Sequence, residues 1–135
     1  MLETLHPDEV EDMLYLHHIG QLACIDRDRP YIVPITYVYD GGSVYGHTAP
    51  GRKIGALRMR PAVAFCIQDH PEPNVWRSVV AEGVYEEVTA DPERQDLLAA
   101  LDLASPHVHM DAEEIVFRLR LTSRSGRLLR TPHPG

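Results

Sequence analysis

The stretch Tyr31–Leu57 reads YIVPITYVYDGGSVYGHTAPGRKIGAL, and its pattern decides the fold. It predicts a strand over Tyr31–Tyr39, a hairpin turn at Asp40-Gly41-Gly42, an antiparallel return over Ser43–Thr48, and a helix that opens after Pro50-Gly51 and ends near Arg58. A hairpin that leads into a short helix favours an antiparallel sheet over the alternating strands and helices of a parallel one.

The first of these strands is apolar on both faces. Tyr31, Val33 and Ile35 share one face, and Ile32 and Pro34 lie on the other. Two apolar faces indicate the wall of a barrel with something packed outside it. Proline has no N–H to donate, so the neighbouring strand is expected to be missing or displaced at this point. Backbone groups left free beside such a gap can bind a planar ligand.

The rest of the chain supplies further short elements. A helix is predicted over 7–17 with Gly20 as its stop, and later strands over Gln21–Asp26, Ala62–Gln68, Val75–Val88 with a bulge at Gly83, and Ile115–Leu121. Asp91-Pro92 predicts the start of another helix. We therefore expect a mainly β fold of six antiparallel strands, closed into a small barrel with three short helices at its ends.

Length and composition set the remaining limits. The 135 residues are expected to form one domain, with its core over about 8–121 and a basic tail over 122–135. A net charge of −7 argues against nucleic-acid binding, because phosphate backbones are bound by basic surfaces. Cys24 and Cys66 lie in apolar runs and are expected to be reduced. Neither a membrane span nor a signal peptide is predicted, so the expected location is the cytoplasm.

One cation stands out. Lys53 is the single lysine of the chain, and it follows Arg52 at the start of the predicted helix. Free N–H groups and the helix dipole favour an anion there, and His47 and Thr48 lie just upstream. These residues predict an anion pocket, most simply for a phosphate. The alternative is a solvated, charged helix end.

Other candidates are weaker. Trp76 and Ser78 share one face of their strand, where they can cover and bond a ligand, and Arg77 takes the other face; the alternative is a barrel tryptophan and a surface arginine. His47 is a candidate substrate contact. His107 and His109 are only two ligands, so no metal site is expected. Asp69 and His70 are interpreted as solvated loop charges.

Six short motifs in order resemble the pyridoxamine 5′-phosphate oxidase-like flavoproteins, and among them the small FMN-binding branch with nitroimidazole-reductase-like members. They are G-x-L-A at Gly20–Ala23, P-Y-x-V-P-I-x-Y at Pro30–Tyr37, Y-x-H-T at Tyr45–Thr48, G-R-K at Gly51–Lys53, V-x-F at Val63–Phe65 and W-R-S-V-x-x-x-G at Trp76–Gly83. The resemblance covers roughly residues 8–121. No single motif is specific, but their order and spacing are.

The resemblance implies a split β-barrel that forms a homodimer, with two FMN sites at the dimer interface. It implies that Arg52 and Lys53 bind the FMN phosphate and that the backbone of Val33, Pro34 and Ile35 faces the isoalloxazine ring. By the same resemblance, His47, Thr48 and the segment Trp76, Arg77, Ser78 line the flavin.

The resemblance also has a limit. The chain lacks the C-terminal W…R-x-R arrangement by which true pyridoxamine-phosphate oxidases bind substrate, and neither Arg118-x-Arg120 nor Arg124 with Arg127 replaces it. The expected function is an FMN-dependent oxidoreductase that passes hydride from a nicotinamide donor to a small acceptor, other than vitamin B6 oxidation. Three alternatives stay open: a non-catalytic flavin-binding or sensor protein, a relative that binds deazaflavin or haem, and a structural dimer with an empty pocket.

Overall fold

The fold was obtained as a computed structural model, which describes residues 1–104 and 114–132. Within these ranges the elements are, in chain order, β1 Leu2–Thr4, α1 Pro7–Leu16, β2 Ile19–Asp26, β3 Arg29–Thr36, β4 Val38–Asp40, β5 Ser43–Thr48, α2 Arg52–Met59, β6 Ala62–Glu72, β7 Val75–Glu87, α3 Glu93–Ala104 and β8 Ile115–Arg130. The mainly β, antiparallel prediction with short flanking helices is confirmed.

The strands form one sheet in the order β3-β2-β6-β7-β8-β5-β4, and β1 pairs with β8. The long strand β8 organises this sheet. It pairs with β7 along its length on one side, and with β5 and then β1 on the other. The β7–β8 register shifts between Glu82 and Gly83, so the predicted bulge at Gly83 is confirmed.

The two edge strands of the sheet, β3 and β4, are consecutive in the chain and are joined by Tyr37 alone. A sheet whose two edges are one residue apart must curl until those edges meet, which makes a barrel. No ladder joins β3 to β4 in the part of the chain that the structure describes. This gap between the edges is the split of the barrel.

Tyr37 is held at this junction by contacts on three sides. Its hydroxyl donates to the carbonyl of Leu14 in α1 at 2.9 Å, and its N–H donates to the carbonyl of His18 at 2.9 Å. Its ring meets Phe65 of β6 edge to face, with centroids 5.1 Å apart. The side chain is 0% exposed, so one residue fixes the turn, the helix and the core together.

Helices close the barrel, as predicted. α1 buries Val10, Met13 and Leu14, and α2 buries Ile54 and Leu57. Strand residues that alternate towards the interior complete the core, among them Leu22, Phe65, Ile67, Val79, Phe117 and Leu119. Cys24 is buried, Cys66 is half-buried and both thiols are free. No helix among the described residues has the length and apolar character needed to cross a bilayer.

Several predicted boundaries were wrong. The described chain has eight strands rather than six, because the Tyr31–Tyr39 segment breaks at Tyr37 and because Leu2–Thr4 adds β1. The basic tail continues β8 to Arg130, since β7 offers a paired partner along its whole length. Gly20 lies inside β2 rather than ending a helix. A Cβ there would clash with the Phe65 ring, so close packing requires the glycine.

Replacing Tyr37 by Phe should lower the free energy of unfolding by roughly 1–2 kcal/mol, because the buried Leu14 carbonyl loses its donor. Chemical denaturation of purified protein measures the change. Tyr15→Phe is the matched control, since Tyr15 is 53% exposed and its substitution should change stability by less than about 0.5 kcal/mol. Equal effects at the two positions would contradict the role given to Tyr37.

Candidate functional site

Four of the predicted site residues lie together where β5 leads into α2. His47 and Thr48 end β5 and pair with Val116 and Ile115 at the start of β8. Arg52 and Lys53 form the first turn of α2. The N-terminus of α2 has no side-chain cap: Gly51 precedes it in an extended conformation, with φ 169°. Its first N–H groups therefore remain available to a ligand, as the sequence predicted.

Lys53 differs electrostatically from the arginines around it. Its side chain is half-buried, and among the described residues no carboxylate lies within ion-pair distance of its ammonium. Burial lowers the pKa of Lys53, with an opposing contribution from the nearby Cys24 and Glu114. A partly desolvated cation without a paired anion is costly, and a bound anion would relieve that cost.

Arg52 is already paired. Its guanidinium donates through Nε to Oδ2 of Asp26, the buried last residue of β2. It also lies over the Tyr31 ring, 4.9 Å from the ring centroid, where a cation is attracted to the aromatic face. The ion pair with Asp26 ties α2 to β2. Arg52 can bind a ligand phosphate in two ways: through its other guanidinium N–H groups while it stays bonded to Asp26, or after it releases Asp26.

The segment Val33, Pro34 and Ile35 lies on the free edge of the sheet. Pro34 is exposed and faces Gln21 of β2, Val33 is half-buried, and Ile35 is buried. In the described chain no strand pairs with the other side of β3. The missing neighbour predicted from Pro34 is thus confirmed, and the outer edge offers backbone groups to a ligand.

The segment Trp76, Arg77 and Ser78 occupies the start of β7. Trp76 is 42% exposed and stacks on His70, with ring centroids 4.5 Å apart. Ser78 lines a cavity of ≈ 280 Å³ together with Trp76 and Arg127. Arg77 is in phase with the buried Val75 and Val79 on the other face of the strand. Its guanidinium also borders this cavity and donates twice to Asp69, at 2.9 and 2.5 Å. The alternation predicted for these three residues is therefore present.

Within one chain, the segment Trp76–Ser78 lies at the opposite end of the β7–β8 ladder from His47. Ser78 pairs with Arg127, whereas Glu87, at the other end of β7, pairs with Phe117, next to the residue that faces His47. At about 3.3 Å per residue, roughly 30 Å of ladder separates Ser78 from the His47 end.

The ion-paired roles of three carboxylates near the site residues were not identified from the sequence. Asp69 was wrongly interpreted as a solvated loop charge: it is 12% exposed and also bonds His17 Nε2 at 2.8 Å. A usable signal existed, because Asp69 continues the inward alternation of β6 and lies opposite Arg77. Asp26 and Glu114 carry no such local signal, since their partners come from distant elements.

The sequence contains one pair of histidines considered as metal ligands. His107 and His109 lie outside the described residues. Within the described ranges, no three His, Cys, Asp or Glu side chains converge in a way that could hold a metal ion.

Asp69 makes stability depend on pH. Burial alone would raise the pKa of this carboxyl, but hydrogen bonds from Arg77 and His17 outweigh burial and lower its pKa. A carboxyl with a lowered folded-state pKa stabilises the fold fully above its unfolded-state pKa, about 4, and loses that contribution as the pH falls through the folded-state pKa. Asp69 should therefore stabilise the neutral-pH protein and contribute less in acid.

Asp69→Asn should lower the free energy of unfolding by about 1–3 kcal/mol at neutral pH, because Arg77 and His17 lose a charged acceptor. The difference from the wild type should shrink as the pH is lowered from 7 to 3. Denaturant unfolding at several pH values measures both effects. The exposed Asp12→Asn provides the control. A difference that is constant over this pH range would contradict the linkage.

Solved structures share this fold along nearly the whole chain. A FAD-binding protein of Mesorhizobium loti superimposes with a TM-score of 0.86 at 29% identity, over 95% of this chain and 98% of that one. A nitroimidazole resistance protein homologue of Bacteroides thetaiotaomicron gives 0.77 at 16% identity, over 95% and 89%. The second comparison supports the fold alone, and together they confirm the split barrel.

Sequence comparison leads to the same group. An uncharacterized protein of Rhizobium meliloti (strain 1021) is 37% identical over 89 residues, which are 66% of this chain and 59% of that protein. The match thus spans less than two thirds of the relative. The sequence pattern of the family described as pyridoxamine 5′-phosphate oxidase matches residues 6–128. The resemblance found in the motifs is confirmed, and the chain belongs to the pyridoxamine 5′-phosphate oxidase family.

Proposed function

We propose that this protein binds FMN and works as a flavin-dependent oxidoreductase in the cytoplasm. The observation that carries the proposal is Lys53, a half-buried cation without a carboxylate partner among the described residues, in the first turn of an uncapped helix. A phosphate at this position would gain charge-assisted hydrogen bonds from the ammonium and from the N–H groups of the helix. The FAD-binding relative from Mesorhizobium loti supports a flavin as the ligand.

The free edge of β3 supports the position of the ring. Val33, Pro34 and Ile35 lie on an unpaired strand edge close to α2, which packs on β2 beside it. A flavin ring carries hydrogen-bonding groups along its edge, and backbone N–H and C=O groups can satisfy them. His47 and Thr48 would lie between ring and phosphate. Bound there, the flavin would supply hydride transfer from a nicotinamide donor to a small organic acceptor.

A homodimer would complete the site. Trp76, Arg77 and Ser78 lie at the far end of the β7–β8 ladder from His47, and a second copy could present its own segment to the flavin of the first. The outward face of the sheet fits such a contact. Ile32, 66% exposed, and the exposed Pro34 lie on β3, and Val80, 51% exposed, lies on β7 in the same sheet row as Pro34, across Gln21 and Cys66. Isolated exposed apolar residues are normal, but a strip along one face indicates an interface.

The reaction that we propose is not the oxidation of pyridoxamine 5′-phosphate. Arg118 and Arg120 both donate through Nε to Glu86, each at 2.9 Å. Arginines neutralised in this way offer little to the phosphate of a vitamin B6 substrate. The acceptor that we propose is a different small organic molecule.

Lys53→Ala combined with Arg52→Ala should abolish the yellow colour of the purified protein, because the phosphate loses both cations. Single variants should separate their roles: Lys53→Ala should weaken FMN binding roughly 10- to 100-fold, the equivalent of one charged hydrogen bond. Arg58→Ala, at the other end of α2, is the matched control. Stoichiometric flavin in the double variant would refute the phosphate assignment.

Val80→Asp should convert the dimer to a monomer and reduce flavin content, because a charge would be placed within the apolar contact. Light scattering after size-exclusion chromatography gives the mass, and absorption gives the flavin. Leu103→Asp is the control, since Leu103 on α3 is 84% exposed. A Val80→Asp protein that stays dimeric, or a wild type that is monomeric and loaded, would overturn the proposed interface.

The same preparations distinguish the alternatives. Mass spectrometry of the released chromophore separates FMN from FAD and deazaflavin, and a haem would be seen in the absorption spectrum. Anaerobic addition of NADH or NADPH should bleach the bound flavin of an oxidoreductase. A flavin that resists both donors would favour a non-catalytic or sensor protein.

A further inference from the structure

Two buried polar atoms face each other near Lys53 without a hydrogen bond. His47 is 5% exposed and Glu114, just before β8, is 11% exposed. Nδ1 of His47 and Oε2 of Glu114 are 3.5 Å apart, close enough for an ion pair but not aligned as a hydrogen bond. Neither atom has another hydrogen-bonding partner among the described residues.

Such a pair is unusual in a folded interior. Buried polar atoms are nearly always hydrogen-bonded, because a group taken out of water loses its solvation without compensation. The cost is greatest for a carboxylate. One imidazole nitrogen and one carboxylate oxygen therefore lack a third group that bonds both.

The position of the pair restricts that third group. His47 is the penultimate residue of β5, a short loop then leads to Lys53, and the negative charge of Glu114 acts on the ammonium of Lys53. If an anion binds at Lys53, a carboxylate beside it repels a second negative charge. The part of the ligand that meets Glu114 must therefore be neutral and must donate a hydrogen bond.

We propose that the ligand carries a hydroxyl group close to its phosphate, and that this hydroxyl bridges His47 and Glu114. The hydroxyl donates to Oε2 of Glu114 and accepts from an N–H at Nδ1 of His47. The ligand class is then a phosphorylated polyol, which the ribityl phosphate chain of FMN represents. The inference rests on the proposed function and adds Glu114 as a ligand-binding residue.

A pair of ligands tests the hydroxyl directly. One is FMN, and the other is an FMN analogue that lacks only the ribityl hydroxyl next to the phosphate-bearing carbon and keeps the other two hydroxyls and the terminal phosphate. Apoprotein of the full chain is titrated with each ligand, and quenching of flavin fluorescence gives the affinity. The wild type should bind FMN roughly 10- to 100-fold more tightly than the analogue, as one charged hydrogen bond implies.

Variants at Glu114 then test whether this residue causes the preference for FMN over the analogue. In Glu114→Ala the preference for FMN should fall below about threefold, and Glu114→Gln, which keeps a neutral acceptor, should give an intermediate value. Glu72→Ala, at an exposed position, should keep the wild-type preference. Thermal unfolding checks that each variant is folded, and Glu114→Gln serves if the alanine variant is not.

The outcomes are distinct. Equal affinity of the wild type for both ligands, or an equal loss for both ligands in Glu114→Ala, would overturn the bridge while leaving flavin binding intact; the second result would mean that Glu114 only supports the fold. If the wild type binds neither ligand, the proposed function itself fails.

Discussion

The barrel depends on the constraint that Tyr37 places on the chain. The two edge strands of the sheet, β3 and β4, are joined by this one residue. A flat sheet would hold its edge strands far apart, so the sheet must curl. The tyrosine is buried, bonded to α1 through its hydroxyl and packed on Phe65. Curvature, helix placement and the split between the edges therefore have a common origin. The same split exposes the edge of β3, on which the proposed ligand site relies.

A second constraint is how charge is distributed. Arginines tie neighbouring elements together through carboxylates: Arg52 with Asp26, Arg77 with Asp69, and Arg118 and Arg120 with Glu86. These pairs use the cations structurally, and exposed ones contribute little to stability. Lys53 is different because, within the described residues, it makes no ion pair. In an acidic protein, this partly buried cation is the position that we propose for an anion, and its neighbours His47 and Glu114 would limit what that anion can carry.

Local patterns predicted most of the architecture. Alternating apolar residues, the Asp40-Gly41-Gly42 turn and Gly83 identified the strands and the bulge, because these signals act between residues that are neighbours in the chain. Pro34 even predicted an unpaired edge. The errors share one cause: β1, the extension of β8 to Arg130 and the place of Gly20 depend on which distant strand lies alongside. Such pairing is a tertiary property and leaves little trace in a single segment.

The candidate site divides in the same way. The sequence by itself determined the family through six ordered motifs, the cation pair at the start of α2 and the free edge at Pro34, since each depends on residue type and short spacing. Only the tertiary structure decided that Arg52 is held by Asp26, that Asp69 is paired rather than solvated, and that Glu114 faces His47. It also decided that Trp76–Ser78 lie at the far end of the β7–β8 ladder from His47. These relations join residues far apart in the chain, and only folding sets their distances.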